Sequence, residues 1–169
     1  MVRQARADGL VVAGLLTEGA GPGQTAGRRV TDLRSGESRH FGSRPVDGAG
    51  RGLVFRQAPS PDPLTPGWKY DAGVFEWGNE VLARATPCDL LVVDELGPLE
   101  VLGGRGWVDA FDVLAGRRFG AALVVCRPGL LEQLEARLGA RAGMTCEVTT
   151  DSRDELPAII LREVSSAGR

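Results

Sequence analysis

Leu90-Leu91-Val92-Val93-Asp94-Glu95 is the stretch on which the fold turns. Four consecutive apolar residues, two of them β-branched, fit a short strand buried on both faces, as strands inside parallel sheets are. The two acids that follow mark where the chain leaves the core. The carboxyl ends of parallel strands form the rim on which α/β proteins bind ligands, so Asp94 and Glu95 are predicted to stand there. A strand ending in a solvated acidic pair is the plainer alternative for this motif alone.

The segments on either side alternate between strand and helix patterns. Residues 10–16 form a nearly continuous apolar run, a second buried strand that ends at Thr17-Glu18-Gly19. A glycine-rich stretch, 19–27, leads into 28–33 and 38–41, which flank Arg34-Ser35-Gly36-Glu37 in the manner of an antiparallel hairpin. Residues 52–58 suit a further strand, and the four prolines of 59–67 an irregular surface connection. Val74, Trp77, Val81, Leu82 and Ala85 recur at helical spacing and Pro87 closes that segment, which predicts an amphipathic helix over 71–85. After Gly103-Gly104 a helix is predicted over 107–116 and a buried strand over 121–126. Pro128 opens another helix that stops at Gly139. A last strand over 144–149 and a last helix over 156–164 complete the pattern. The fold expected is α/β: a mostly parallel sheet with flanking helices, plus an antiparallel hairpin excursion between residues 19 and 58.

Length and composition bound the function. A chain of 169 residues with 43% hydrophobic content suits one domain spanning 1–169, since a domain near this size buries about 68–70% of its unfolded surface. A net charge of −2 and a pI near 5.5 offer no overall attraction to nucleic acid or anionic membrane. No apolar run approaches the roughly 18 residues of a membrane span and the N-terminus has no signal-like core, so a cytoplasmic protein is expected. Cys88, Cys126 and Cys146 make an odd count without C-x-x-C spacing and read as buried reduced thiols. His40 is the only histidine, so neither a histidine-based zinc site nor a Ser/His triad can be assembled away from it. Trp68, Trp77 and Trp107 read as packing residues in preference to base-stacking platforms. There are 19 arginines and one lysine, Lys69, so any chemistry that needs a lysine must use that residue.

Asp94-Glu95-Leu96-Gly97-Pro98-Leu99-Glu100, Gly14-Leu15-Leu16-Thr17-Glu18 and Thr150-Asp151-Ser152-Arg153-Asp154-Glu155-Leu156 occur in an order and at spacings that resemble the small P-loop nucleoside-triphosphatase family of the cancer-related nucleoside-triphosphatase type. The first resembles its Walker B region, the second its second strand, the third its C-terminal asparagine-arginine motif. The resemblance implies Asp94 as the magnesium-side carboxylate and Glu95 as the base that orients the attacking water. It implies Thr17 and Glu18 at the phosphate end of the cleft and Arg153 near the base or ribose, with Ser152 standing where the family has asparagine. Lys69 follows Trp68 where the family tends to place glycine. Arg127, directly after a predicted strand, is a candidate phosphate-charge partner by position, and a surface ion pair is the alternative.

That family begins with a strand and a Gly-Lys-Thr or Gly-Lys-Ser loop, and these 169 residues contain neither. The stretch Gly19-Ala20-Gly21-Pro22-Gly23-Gln24-Thr25-Ala26-Gly27 has no lysine, contains a proline and leads into a hairpin, so it reads as a turn and not as a phosphate loop. The resemblance therefore implies a magnesium and nucleoside triphosphate cleft in which hydrolysis by this chain alone is doubtful, or a non-catalytic interaction module on the same fold. It also implies that strands 121–126 and 144–149 lose a shared neighbour. Either they pair directly, or a homo-oligomer or a partner chain fills the gap.

Overall fold

The structure, a computed structural model, describes residues 1–19, 27–43 and 69–167. The strand expected over 52–58, the proline-rich connection over 59–67, Trp68 and most of the glycine-rich stretch lie outside the described residues.

Strands β1 (Val12–Gly19), β2 (Gly27–Asp32), β3 (Ser38–Ser43), β4 (Lys69–Tyr70), β5 (Cys88–Leu96) and β6 (Phe119–Cys126) form one sheet. Their order is β4-β3-β2-β1-β5-β6. The helices are α1 (Val2–Ala7), α2 (Ala72–Ala83), α3 (Pro98–Val101), α4 (Asp109–Gly116), α5 (Leu131–Leu138) and α6 (Leu156–Ala167).

The apolar runs behave as their composition dictates. β5 lies between β1 and β6, parallel to both, and Leu90, Leu91, Val92 and Val93 are buried on alternating faces. Leu91 and Val93 pack with Val74, Trp77, Val81, Leu82, Trp107 and Phe111, which α2, α4 and the loop before α4 supply to one face. Leu90 and Val92 pack with Ala5 of α1, and Leu161 and Val164 of α6 flank the same cluster on the other face. α2 starts where the sequence indicates, with the Asp71 side chain accepting from the Gly73 N–H at 2.9 Å as its N-cap. A single 3-10 turn from Pro128 introduces α5, which ends on Gly139 in the left-handed conformation.

Two expectations are corrected. The sheet is mixed and not mostly parallel: β1, β5 and β6 are parallel, whereas β1·β2, β2·β3 and β3·β4 are antiparallel. The antiparallel hairpin expected after residue 19 is present as β2 and β3, and it extends the sheet, since β2 pairs with β1 from Leu15↔Asp32 to Gly19↔Arg28 and so carries β1 past Thr17. Residues 144–149 are irregular and exposed. A strand there would need a hydrogen-bonding neighbour, and β6 does not pair with it, so direct pairing of the two is excluded. Instead the Thr149 N–H donates to Ser152 Oγ at 2.9 Å, and Ser152 Oγ donates to the Glu147 carbonyl at 2.9 Å. Such local side-chain bonds offer the backbone an alternative to a ladder. The three cysteines are free and half-buried, with Cys146 in this irregular segment. Among the described residues, no helix is long and apolar enough to cross a membrane.

β1 lies close against β5 at Gly14, whose φ is +107° and where a Cβ would overlap the Val92 carbonyl oxygen. Both the backbone conformation and the contact exclude a side chain. Gly14→Ala is expected to cost about 3 kcal/mol or more, read as a lower urea midpoint with an unchanged m-value.

Candidate functional site

The carboxyl ends of β1, β5 and β6 meet the start of β2 and the end of β3 at a shallow cleft with a cavity volume of roughly 30 Å³, lined among others by Thr17, Arg28, Tyr70, Glu95, Glu100 and Arg127. β1 delivers Thr17, β5 delivers Glu95, and Arg127 follows β6 directly. Phe41 and Trp107 close the apolar side, their ring centroids 4.9 Å apart.

Thr17 and Asp94 form the joint between β1 and β5. The Thr17 N–H donates to Asp94 Oδ2 at 3.2 Å, and Thr17 Oγ1 donates to the Asp94 carbonyl at 2.5 Å. One threonine thus fixes both the carboxylate and the backbone of the aspartate. Burial raises the Asp94 carboxyl above the ordinary carboxylate range; the Thr17 N–H draws it back, the Glu95 charge raises it further and Arg28 lowers it.

Glu95 is more open, its side chain 29% exposed, and it stands between two guanidinium groups. Arg28 Nη1 is 3.3 Å and Arg127 Nη2 3.9 Å from the same Glu95 Oε1. The Arg127 pair is long and Arg127 itself is 60% exposed, so it contributes little to stability, whereas the Arg28 pair is part-buried.

Glu100 is the buried acid beneath the cleft, 4% exposed. Its carboxylate accepts from the Gly97 N–H at 2.9 Å and from the Trp107 N–H at 3.1 Å, joining the start of α3 to the loop before α4. Gly106 adapts to it, since a Cβ there would overlap Glu100 Oε1. Burial pushes the Glu100 carboxyl up, against the pull of the two N–H groups, and the Glu95 charge adds to the rise. Burial likewise raises the Tyr70 hydroxyl.

Of the residues singled out from sequence, Thr17, Glu95 and Arg127 line the cleft, and Asp94 lies beside it through Thr17. Glu18 is exposed opposite Arg29 and does not line it. Arg153 is 65% exposed, paired with its neighbour Asp154 at 3.6 Å, and is not brought to the cleft. His40 is exposed, whereas Trp77 and Trp107 are core residues. Lys69 enters β4 through its backbone, pairing with Ser43. Sequence reading missed Arg28, Tyr70 and Glu100 as cleft residues. Gly97-Pro98-Leu99-Glu100 does carry a legible signal, proline at the first helical position and glutamate at the third, the pattern of a capping box. Arg28 carries none, because its place depends on how β2 registers against β1. Among the described residues no group of three His, Cys, Asp or Glu side chains could hold a metal ion by itself. No family model, curated protein or solved structure matches this chain.

Two variants test these assignments. Glu100→Gln places an amide N–H against one of the two backbone donors and is expected to destabilise the fold by about 1–3 kcal/mol, measured by denaturant titration. For Asp94 the folded-state pKa lies above the unfolded one, so its favourable contribution is complete below the unfolded carboxylate range and is lost as pH rises through the folded value. Asp94→Asn is therefore expected to be more stable than the parent at neutral pH, with the advantage shrinking on acidification. A series of melting curves across pH checks the crossover.

Proposed function

We propose that this chain carries the acidic half of a nucleoside-triphosphate site on a P-loop nucleoside-triphosphatase-like fold, with the phosphate loop supplied by a segment other than these residues. The observation that carries the reading is the placing of Thr17, Asp94, Glu95 and Arg127 together at the carboxyl rim of three parallel strands, where such folds bind ligands. Asp94, held in place by Thr17, is the carboxylate toward magnesium. Glu95 is the group that orients water. Arg28 and Arg127, which now share Glu95 Oε1, are the cations that phosphate oxygens would recruit. Magnesium bound with nucleotide would take Asp94 and supply neutralisation of phosphate charge, a role that needs only one or two carboxylates.

Lys69 is the only lysine, and no loop of the Gly-Lys-Thr kind exists here to cradle phosphates. Removing one partner of a desolvated charge pair costs about 2–5 kcal/mol, so nucleotide affinity is expected to fall from micromolar to roughly between tens of micromolar and millimolar. Turnover by these residues alone is then negligible, and the reading requires a phosphate loop from a segment outside them. A second reading is a non-catalytic interaction module. It is favoured by the engagement of the carboxylates with the chain's own groups, Asp94 with Thr17 and Glu95 with two arginines.

Isothermal titration with ATP or GTP and magnesium separates the two. Weak binding heat that disappears in Asp94→Asn, a variant expected to stay folded, supports the nucleotide site. Silence at about millimolar nucleotide abandons it for the interaction module.

A further inference from the structure

One wall of the cleft is a single segment, 97–107, which contributes Gly97, Pro98, Leu99, Glu100 and Trp107 to the lining. It leaves the end of β5, forms the short α3 and returns through Gly103-Gly104-Arg105-Gly106 to the buried Trp107. Gly104 and Gly106 have φ of +60° and +80°, the kind of backbone from which hinges are made. Backbone bonds from the Gly103 and Arg105 N–H groups to the Pro98 and Leu99 carbonyls shape the return.

Three side chains fasten this segment. Asn79 of α2 donates to the Gly106 carbonyl at 2.9 Å and accepts from the Asp109 N–H at 3.1 Å, and Arg137 of α5 donates to the Glu100 carbonyl at 2.6 Å. The third is the Glu100 carboxylate, whose Oε2 accepts from the Gly97 N–H and whose Oε1 accepts from the Trp107 N–H. An amide side chain does not titrate and a guanidinium keeps its proton, so Glu100 is the fastener that pH can alter.

Oxygen counting says what a proton does there. An ionised carboxylate offers one acceptor oxygen to each N–H, and both bonds are charge-assisted. A neutral carboxyl keeps one carbonyl oxygen and turns the other into a donor, so one N–H loses its partner. The Gly97 bond is local, three residues back at the start of α3, whereas the Trp107 bond is longer, 3.1 Å against 2.9 Å, and spans seven residues. The Trp107 bond is the one that gives way. Burial raises the Glu100 carboxyl and the Glu95 charge raises it further. The two acids are near neighbours, since a Cβ at Gly97 would lie 3.6 Å from Glu100 Oε2 and 3.8 Å from Glu95 Oε1. The other charged or titratable groups around the cleft are Arg28 of β2, Tyr70 of β4, Asp94 of β5 and Arg127 after β6, with Arg105 on the segment itself and Arg137 behind α3.

We propose that Glu100 is a proton-operated clasp on the cleft wall: ionised, it pins residues 97–107 in place, and neutral, it frees the Trp107 N–H and loosens the stretch 103–107. Glu100 is a positioning residue in this role. A cavity of roughly 30 Å³ holds no more than a few waters at roughly 10–15 Å³ each, so a ligand that reaches the floor has to displace a wall. Segment 97–107 is a wall with both a hinge and a releasable fastener. The inference concerns that wall and not what the cleft binds, so it stands or falls apart from the nucleotide reading.

The test follows the whole isotope-labelled chain by NMR, without nucleotide, from about pH 8 to about pH 4. The Trp107 amide shift is expected to titrate with the same midpoint as the Glu100 carboxyl carbon. Across that midpoint the hydrogen-exchange protection of the Trp107 amide, corrected for intrinsic exchange, is expected to fall about threefold to tenfold. The Gly97 amide and the Leu91 and Val92 amides of β5 are expected to keep theirs. Glu100→Gln, which retains one acceptor oxygen, is expected to show the weakly protected Trp107 amide at neutral pH and no titration. Glu95→Gln, a change on the open side of the cleft, is expected to keep the titration and lower its midpoint. A Trp107 amide that does not follow the Glu100 midpoint, a loss of protection shared equally with Leu91 and Val92, or a titration that vanishes in Glu95→Gln overturns the proposal.

Discussion

A strand buried on both faces must satisfy its backbone entirely through its two neighbours, and β5 imposes that requirement on the rest of the molecule. β1 meets it on one edge and β6 on the other. Each face then needs an apolar lid, which α2, α4 and α5 form on one side and α1 and α6 on the other. Gly14 follows from the same demand, since the close approach of β1 to the Val92 carbonyl leaves no room for a side chain. Where the ladder ends, side chains take over from backbone, and Thr17 bonds to both the carbonyl and the carboxylate of Asp94.

The acids at that end are held in three different ways. Asp94 is fixed by a neighbouring strand, Glu95 by two partly exposed guanidinium groups, and Glu100 by two buried N–H donors. The environments push them apart in character. Asp94 and Glu100 resist ionisation through burial, and Glu95 faces solvent with cations at hand. Two acids held by burial and a third beside two arginines thus meet in or beside one shallow cleft.

Much of this architecture is legible in the residues. The unbroken apolar runs of β1, β5 and β6, the helical stripe through Val74, Trp77 and Val81, the turn chemistry of 34–37 and the stop at Gly139 are all local signals, and each element appears where its signal lies. What escaped reading depends on partners distant in sequence. The mixed character of the sheet follows from β2 choosing the outer edge of β1, and Arg28 reaches Glu95 only because of that register. Residues 144–149 have strand-like composition, but composition cannot supply a neighbour, and the Thr149 and Ser152 side chains captured the backbone instead. Arg153 is the converse case: a family resemblance gave it a role that its exposed position beside Asp154 does not by itself provide.

Glu100 has a further effect on whatever enters above it. Its charge is balanced by backbone dipoles and not by a cation, since among the described residues it has no ion pair. Whenever it is ionised, the cleft floor carries a fixed negative potential that solvent screens poorly. A bare oxyanion approaching Arg28 and Arg127 would climb against that potential, whereas one that arrives with its own divalent cation would not. An ionised Glu100 would thus select against a bare anion at the floor of the cleft.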